Sequence, residues 1–80
     1  MPGEDYERIN EVVTRVGKIP VVGPDDDFYD AGFPSINALD LLLELEEAFG
    51  VSIPDEQFIG ARSVRSLDEM VSHLKQEQGA

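Results

Sequence analysis

Eighty residues carrying six Lys or Arg against 17 Asp or Glu give a formal net charge of −11, and there is no cysteine. A chain this short buries only roughly 60% of the surface its unfolded form exposes, which allows one small domain and no deep catalytic pocket. The charge argues against nucleic acid and anionic membrane as partners, since both call for Lys and Arg, and the missing thiols exclude disulfides, thiolate metal sites and a cysteine nucleophile.

The first residues, MPGEDYERINEVV, hold acids and no long apolar run, so neither a signal peptide nor a membrane span is expected and a cytoplasmic location is the default. From Glu4 to about Gly17, Tyr6, Ile9, Val12, Val13 and Val16 recur at three- and four-residue steps, a first helix that Gly17 and Pro20 stop. Lys18 to Pro34, broken by Pro20, Gly23, Pro24 and Gly32, reads as a long ordered loop pinned by Val21 and Val22, with Phe28 and Tyr29 packed beneath it. Loops of that length in small domains are often functional. Asp25, Asp26 and Asp27 invite a calcium reading. An EF-hand loop starting at Asp25 needs Gly at its sixth position and finds Asp30, so no metal site is expected, and a metal-binding regulator is a distant alternative.

The second helix is expected over Ile36 to Phe49, with Ile36, Leu39, Leu42, Leu43, Leu45 and Phe49 as its buried stripe and Gly50 as its terminator. Asp40, Glu44 and Glu47 form an acidic ridge along it. No Lys or Arg occurs from Ile19 through Ala61, so these carboxylates lack near partners in sequence. Asp55 to about Gly60 reads as a short helix with Phe58 and Ile59 turned inward. A Ser66-x-x-Glu69 capping box then opens a last helix whose stripe is Leu67, Met70, Val71 and Leu74. The expectation is an all-α fold: a small four-helix bundle of three main helices and one short one, with a long first loop. It forms a single domain over residues 1–80, with 1–3 and 77–80 frayed.

Ser35 stands where loop becomes helix, because Gly32 and Pro34 disfavour helix before it and good helix formers follow. Backbone N–H groups and partial positive charge gather at such a place, so a phosphodiester on Ser35 would be favoured there. An isolated serine at a helix start is most often an N-cap, and capping before modification is compatible with attachment afterwards. The one histidine, His73, lies in the last helix with no triad spacing or nucleophile elbow, so no catalytic residue is expected.

The stretch Asp30-x-Gly32-x-x-Ser35, leading into a Leu- and Glu-rich helix with Leu42, Leu45, Glu46 and Phe49, resembles the signature of the acyl and peptidyl carrier proteins. Val51-Ser52-Ile53-Pro54-Asp55 resembles that family's exit from its second helix, and Ser63-Val64 with Ser66-Leu67 resembles the start of its last. The resemblance implies 4′-phosphopantetheine on Ser35, placed there from coenzyme A by a separate phosphopantetheinyl transferase. The working thiol would then come from the arm, and acyl cargo would be held on it as a thioester. Partners would be acyl-loading and acyl-processing enzymes with basic docking patches, met by Asp30, Phe33, Pro34, Ile36, Asp40, Glu44 and Glu47. The chain itself would be a non-catalytic monomer.

Where the family usually has Asp before the serine, this chain has Pro34, which stiffens the turn, removes a charge and forms an apolar rim with Phe33. That departure points to a dedicated partner set, and a discrete acyl carrier of polyketide or hybrid natural-product biosynthesis is expected. A stand-alone peptidyl or aminoacyl carrier of nonribosomal peptide synthesis is the near alternative. An acidic helical interaction module without a prosthetic group is the distant one.

Overall fold

Ile9, Val12 and Val13 fall on one face of α1 (Glu4–Gly17) and are buried, with Tyr6 and Val16 half-buried beside them. The computed structural model describes residues 4–78. It places α2 at Ala38–Phe49, α3 at Asp55–Gly60 and α4 at Val64–Gln78, with a 3-10 turn at Ser35–Asn37 leading into α2. α1 packs against both α2 and α4, and α3 leans on α4. Among the described residues there is no strand, so the expected all-α bundle of three substantial helices, one short helix and a long first loop is what forms.

The end of α1 follows a different logic from a glycine stop. Gly17 is still helical, and the residue in left-handed geometry is Lys18, at φ 55°. The Ile19 N–H donates to the Thr14 carbonyl at 3.3 Å, closing a Schellman-type turn. Gly17 is needed for another reason: a Cβ there would strike the Phe33 ring.

The long loop is ordered by its attachment to the joint between α3 and α4. The Phe28 N–H donates to the Arg62 carbonyl and the Arg65 N–H to the Pro24 carbonyl, both at 3.0 Å. Asp25 pairs with Arg65 and Asp27 with Arg62, each at 2.6 Å, so two of the three consecutive aspartates that suggested calcium each hold an arginine. Phe28 is fully buried below the loop. Val22 packs half-buried against the core, but Val21 is exposed and pins nothing.

α2 corrects the expected stripe. Its buried residues are Leu41 and Leu45, flanked by half-buried Ala38, Leu42 and Phe49, whereas Ile36 (88% exposed), Leu39 (62%) and Leu43 face solvent. Leucine on both sides of the helix leaves periodicity ambiguous, and contacts with α1 set the rotation. Asn37 Nδ2 donates to the Val16 carbonyl at 3.1 Å, and Arg15 Nη2 reaches Glu44 at 2.8 Å. Gly50, at φ 65°, ends the helix as expected, its N–H on the Glu46 carbonyl. Arg8 and Lys75 lie 5.4 and 5.7 Å from the Phe49 ring centroid, placing cations at the negative end of α2.

Two further expectations shift. In α3 only Phe58 turns inward, and Ile59 is exposed. The cap of α4 is Ser63, three residues before the expected box. Ser66 N–H donates to Ser63 Oγ at 3.2 Å and Ser63 N–H to Ser66 Oγ at 3.0 Å, which lets Val64 join Leu67, Val71 and Leu74 in the core. Residues 77 and 78 are helical rather than frayed. Gln78 clasps Ser52 with two bonds of 2.8 Å, its Oε1 accepting the Ser52 N–H and its Nε2 donating to the carbonyl. The expected fraying of 1–3 and 79–80 falls outside the described residues.

Candidate functional site

The turn that carries Ser35 is assembled from below by aromatic rings and from within by Asp27. Asp27 Oδ1 accepts the N–H groups of Tyr29 at 2.9 Å and Asp30 at 3.2 Å, an Asx turn that starts the bend. The Gly32 N–H reaches the Tyr29 carbonyl, Phe33 N–H returns to the Phe28 carbonyl at 3.0 Å, and Gly32 supplies the φ of +113° that L side chains resist. Phe28, Tyr29 and Phe33 pack mutually, with ring centroids 4.8 to 5.6 Å apart.

Phe33 is therefore not a rim residue. It is 3% exposed, its ring lies on Gly17, and it supports the turn instead of meeting a partner. Pro34 is exposed and extended (φ −68°, ψ 129°), and Ser35 follows as the first residue of the 3-10 turn, itself exposed. The cap positions of that turn and of α2 are Pro34 and Asn37, neither of which makes a side-chain capping bond, and Ser35 stands inside the turn, so its hydroxyl does not serve as the N-cap expected for an unmodified serine. The turn is held on both sides by the end of α1, through Phe33 on Gly17 before the serine and Asn37 on the Val16 carbonyl after it.

Around Ser35 the expected docking residues fall into two settings. Asp30, Pro34, Ile36, Asp40 and Glu47 are exposed. Asp40, Leu43, Glu44 and Glu47 line a shallow groove with Arg15 and Val16 of α1. Glu44 is not unpaired: Arg15 bridges it to Glu11, and these carboxylates, Glu44 first, raise the guanidinium pKa. Sequence reasoning missed Leu39 and Leu43 as exposed apolar neighbours of the acids, having assigned them to the core.

On the other side of Ser35 a cleft of about 330 Å³ is lined by Tyr29, Ala38, Phe58, Ile59 and Arg62 together with Ser35. Arg62 lies over the Tyr29 ring, 4.6 Å from its centroid. Its hydrogen bond holds the Asp27 carboxyl below the usual Asp range, and burial pushes the Tyr29 hydroxyl up. Neither Asp27 nor Arg62 was singled out for the site in the sequence. An Asx-turn reading of Asp27-Phe-Tyr would have found the first, whereas Arg62 is 35 residues away in the chain.

Fold and site together define a small helical domain that presents one uncommitted hydroxyl on a braced turn beside an acidic, partly apolar helix. A family model described as "Phosphopantetheine attachment site" matches residues 7–71. Among curated relatives, the acyl carrier protein of Helicobacter pylori is 34% identical over 72 residues, covering 90% of this chain and 88% of that protein. The mitochondrial acyl carrier protein of Dictyostelium discoideum is also 34% identical, over 90% of this chain, and this chain spans only 59% of its length. Among solved structures, an extended docking domain complex of the Pax NRPS superposes with a TM-score of 0.86 at 26% identity, covering 99% of this chain and 76% of that one. The acyl carrier protein of Thermotoga maritima superposes with a TM-score of 0.74 at 23% identity, over 96% and 98%, a likeness of fold.

The chain belongs to the phosphopantetheine attachment-site family. Its prosthetic group is a covalently attached 4′-phosphopantetheine, and it is a carrier protein. The residues present fit that group: an exposed serine free of capping duty, with a cleft beside it.

Proposed function

We propose that the chain carries acyl intermediates on 4′-phosphopantetheine attached to Ser35, in a polyketide or hybrid natural-product assembly line. The observation that carries this reading is the Ser35 turn: exposed, without a capping bond, and anchored on both sides to α1. When bound, the group supplies the thiol that a chain without cysteine lacks, and cargo rides on it as a thioester. The chain's own residues do the rest. Phe33 and Asn37 hold the turn still, Pro34 stiffens it, and Ile36, Leu39 and Leu43 offer apolar contact beside Asp40 and Glu47.

A phosphopantetheinyl transferase, and loading and processing enzymes with basic patches, are the partners such a surface fits. Binding there would be weak, fast and steered by charge. A covalent arm raises the effective concentration of cargo at each active site the domain visits. The dedicated pathway is supported by Pro34, exposed and uncharged beside the serine. Replacing Pro34 with Asp and finding unchanged rates with both cognate and fatty-acid-synthesis partners would remove that support.

The test of attachment is an intact mass after incubation with coenzyme A, magnesium and a broad-specificity transferase. One phosphopantetheine increment is expected, absent in Ser35→Ala. No increment with several transferases would leave an acidic interaction module as the better account.

A second reading, a peptidyl or aminoacyl carrier, is favoured by the likeness to the Pax NRPS complex. Loading by an adenylating enzyme with an amino acid, and by no acyltransferase, would establish it.

A further inference from the structure

The cleft beside Ser35 is apolar along Tyr29, Ala38, Phe58 and Ile59, and among the described residues Arg62 is the one cation that lines it. That guanidinium is held in place. Its Nε donates to Asp27 Oδ2 at 2.6 Å, its Nη2 to Oδ1 at 3.4 Å, and its Cζ lies over the Tyr29 ring, while the Arg62 carbonyl accepts the Phe28 N–H. A guanidinium has five N–H donors. Asp27 engages two, and the other three find no acceptor among the described residues. The side chain keeps 53% of its exposure, so those donors remain reachable.

Asp27 also cancels most of the long-range field of Arg62. What remains at the cleft is short-range, directional donation, which suits recognition of cargo in contact more than steering of a partner. A saturated chain laid along the cleft would cover these donors and leave them unpaired, an unfavourable exchange. A chain ending in an ammonium would meet donors with donors and cation with cation. An acyl group with an apolar body and an oxygen acceptor would satisfy both wall and guanidinium.

We propose that Arg62 is a specificity-determining residue that makes this carrier shelter oxygenated acyl cargo, bearing a ketone or carboxylate, in preference to saturated or ammonium-bearing cargo. The proposal rests on Ser35 as the attachment point.

The experiment loads four thioesters of equal chain length onto the full chain by transferase from their coenzyme A esters: saturated, 3-oxo, ω-carboxy and ω-amino. Intact mass with the Ser35→Ala control comes first. Absence of loading there counts against attachment at Ser35, and everything measured after successful loading addresses Arg62. Two readouts follow: amide shifts of Tyr29, Ala38 and Ile59 by two-dimensional NMR, and the rate at which hydroxylamine cleaves each thioester relative to the same ester of free pantetheine.

Expected is roughly tenfold greater protection of the 3-oxo or ω-carboxy cargo than of the other two, with shifts confined to the cleft, a preference of the size one charge-assisted hydrogen bond supports. Arg62→Gln should abolish the preference. Because that change also unties Asp27, Asp27→Asn is the companion variant: it breaks the same pair and keeps the guanidinium, and the preference should survive in it. Equal protection of all four cargoes, persistence of the preference in Arg62→Gln, or its loss in Asp27→Asn would each overturn the proposal.

Discussion

Gly17 has only a hydrogen where any side chain would strike Phe33, and the residue after it takes the backbone strain. Gly17→Ala should therefore destabilise the protein by about 1–3 kcal/mol, the cost of forcing extra volume into a packed site. The reverse holds at Lys18, whose φ of 55° disfavours an L side chain. Lys18→Gly should add about 1 kcal/mol. Urea unfolding of both variants checks the pair, and a stable Gly17→Ala protein would show that Phe33 can move.

Asp68 offers a test by pH. Burial, and then the carboxylate of Asp5, raise its pKa, so the folded state holds that proton more tightly than the unfolded chain. The associated stability is complete below the unfolded pKa and is lost as pH rises through the raised one. Asp68→Asn should raise Tm near neutral pH and leave it unchanged at about pH 3, where Asp is protonated in either state. Asp27 behaves oppositely: its lowered pKa makes the Arg62 pair a source of stability that disappears as pH falls through that lowered value.

Helix faces assign the leucines of α2 to different tasks. Leu41→Ala should cost about 2–5 kcal/mol of stability, the range for a buried leucine. Leu39→Ala should barely change Tm, and should slow transfer by partner enzymes if the exposed ridge docks them. Steady-state kinetics on both proteins separates the effects, and a large Tm loss in Leu39→Ala would mean that this helix rotates from the orientation seen here. In α4, Ser63→Ala removes a reciprocal cap and should cost about 1 kcal/mol, more than Glu69→Ala, which the sequence alone marks as the capping partner.

For the molecule as a whole, the −11 charge opposes its own folding while it suits basic partners. Added salt should therefore raise Tm and slow partner reactions in the same titration. Screening weakens self-repulsion and steering alike. The loop clamp makes one exception, since the Asp25–Arg65 and Asp27–Arg62 pairs lose strength in salt. Arg62→Gln should consequently show a steeper rise of Tm with salt than the wild type.

Much of this was readable in one dimension. Helix existence, the break before Ser35 and the acidic character of α2 follow from local chemistry: propensity, proline and glycine backbone limits, and charge spacing. The signature from Asp30 to Ser35 was legible for the same reason, because a turn is specified within a few residues. The rotation of α2 was not, since leucine at 39, 41, 42, 43 and 45 satisfies two faces, and tertiary contacts with α1, Asn37 on Val16 and Arg15 on Glu44 among them, choose between them. Phe33 looked like a rim residue because nothing near it in sequence shows that Gly17 leaves a seat for its ring. Arg62 reached the site from across the chain for a similar reason. Local sequence sets which backbone shapes are cheap, while the burial of a ring and the meeting of distant charges depend on where other elements come to rest.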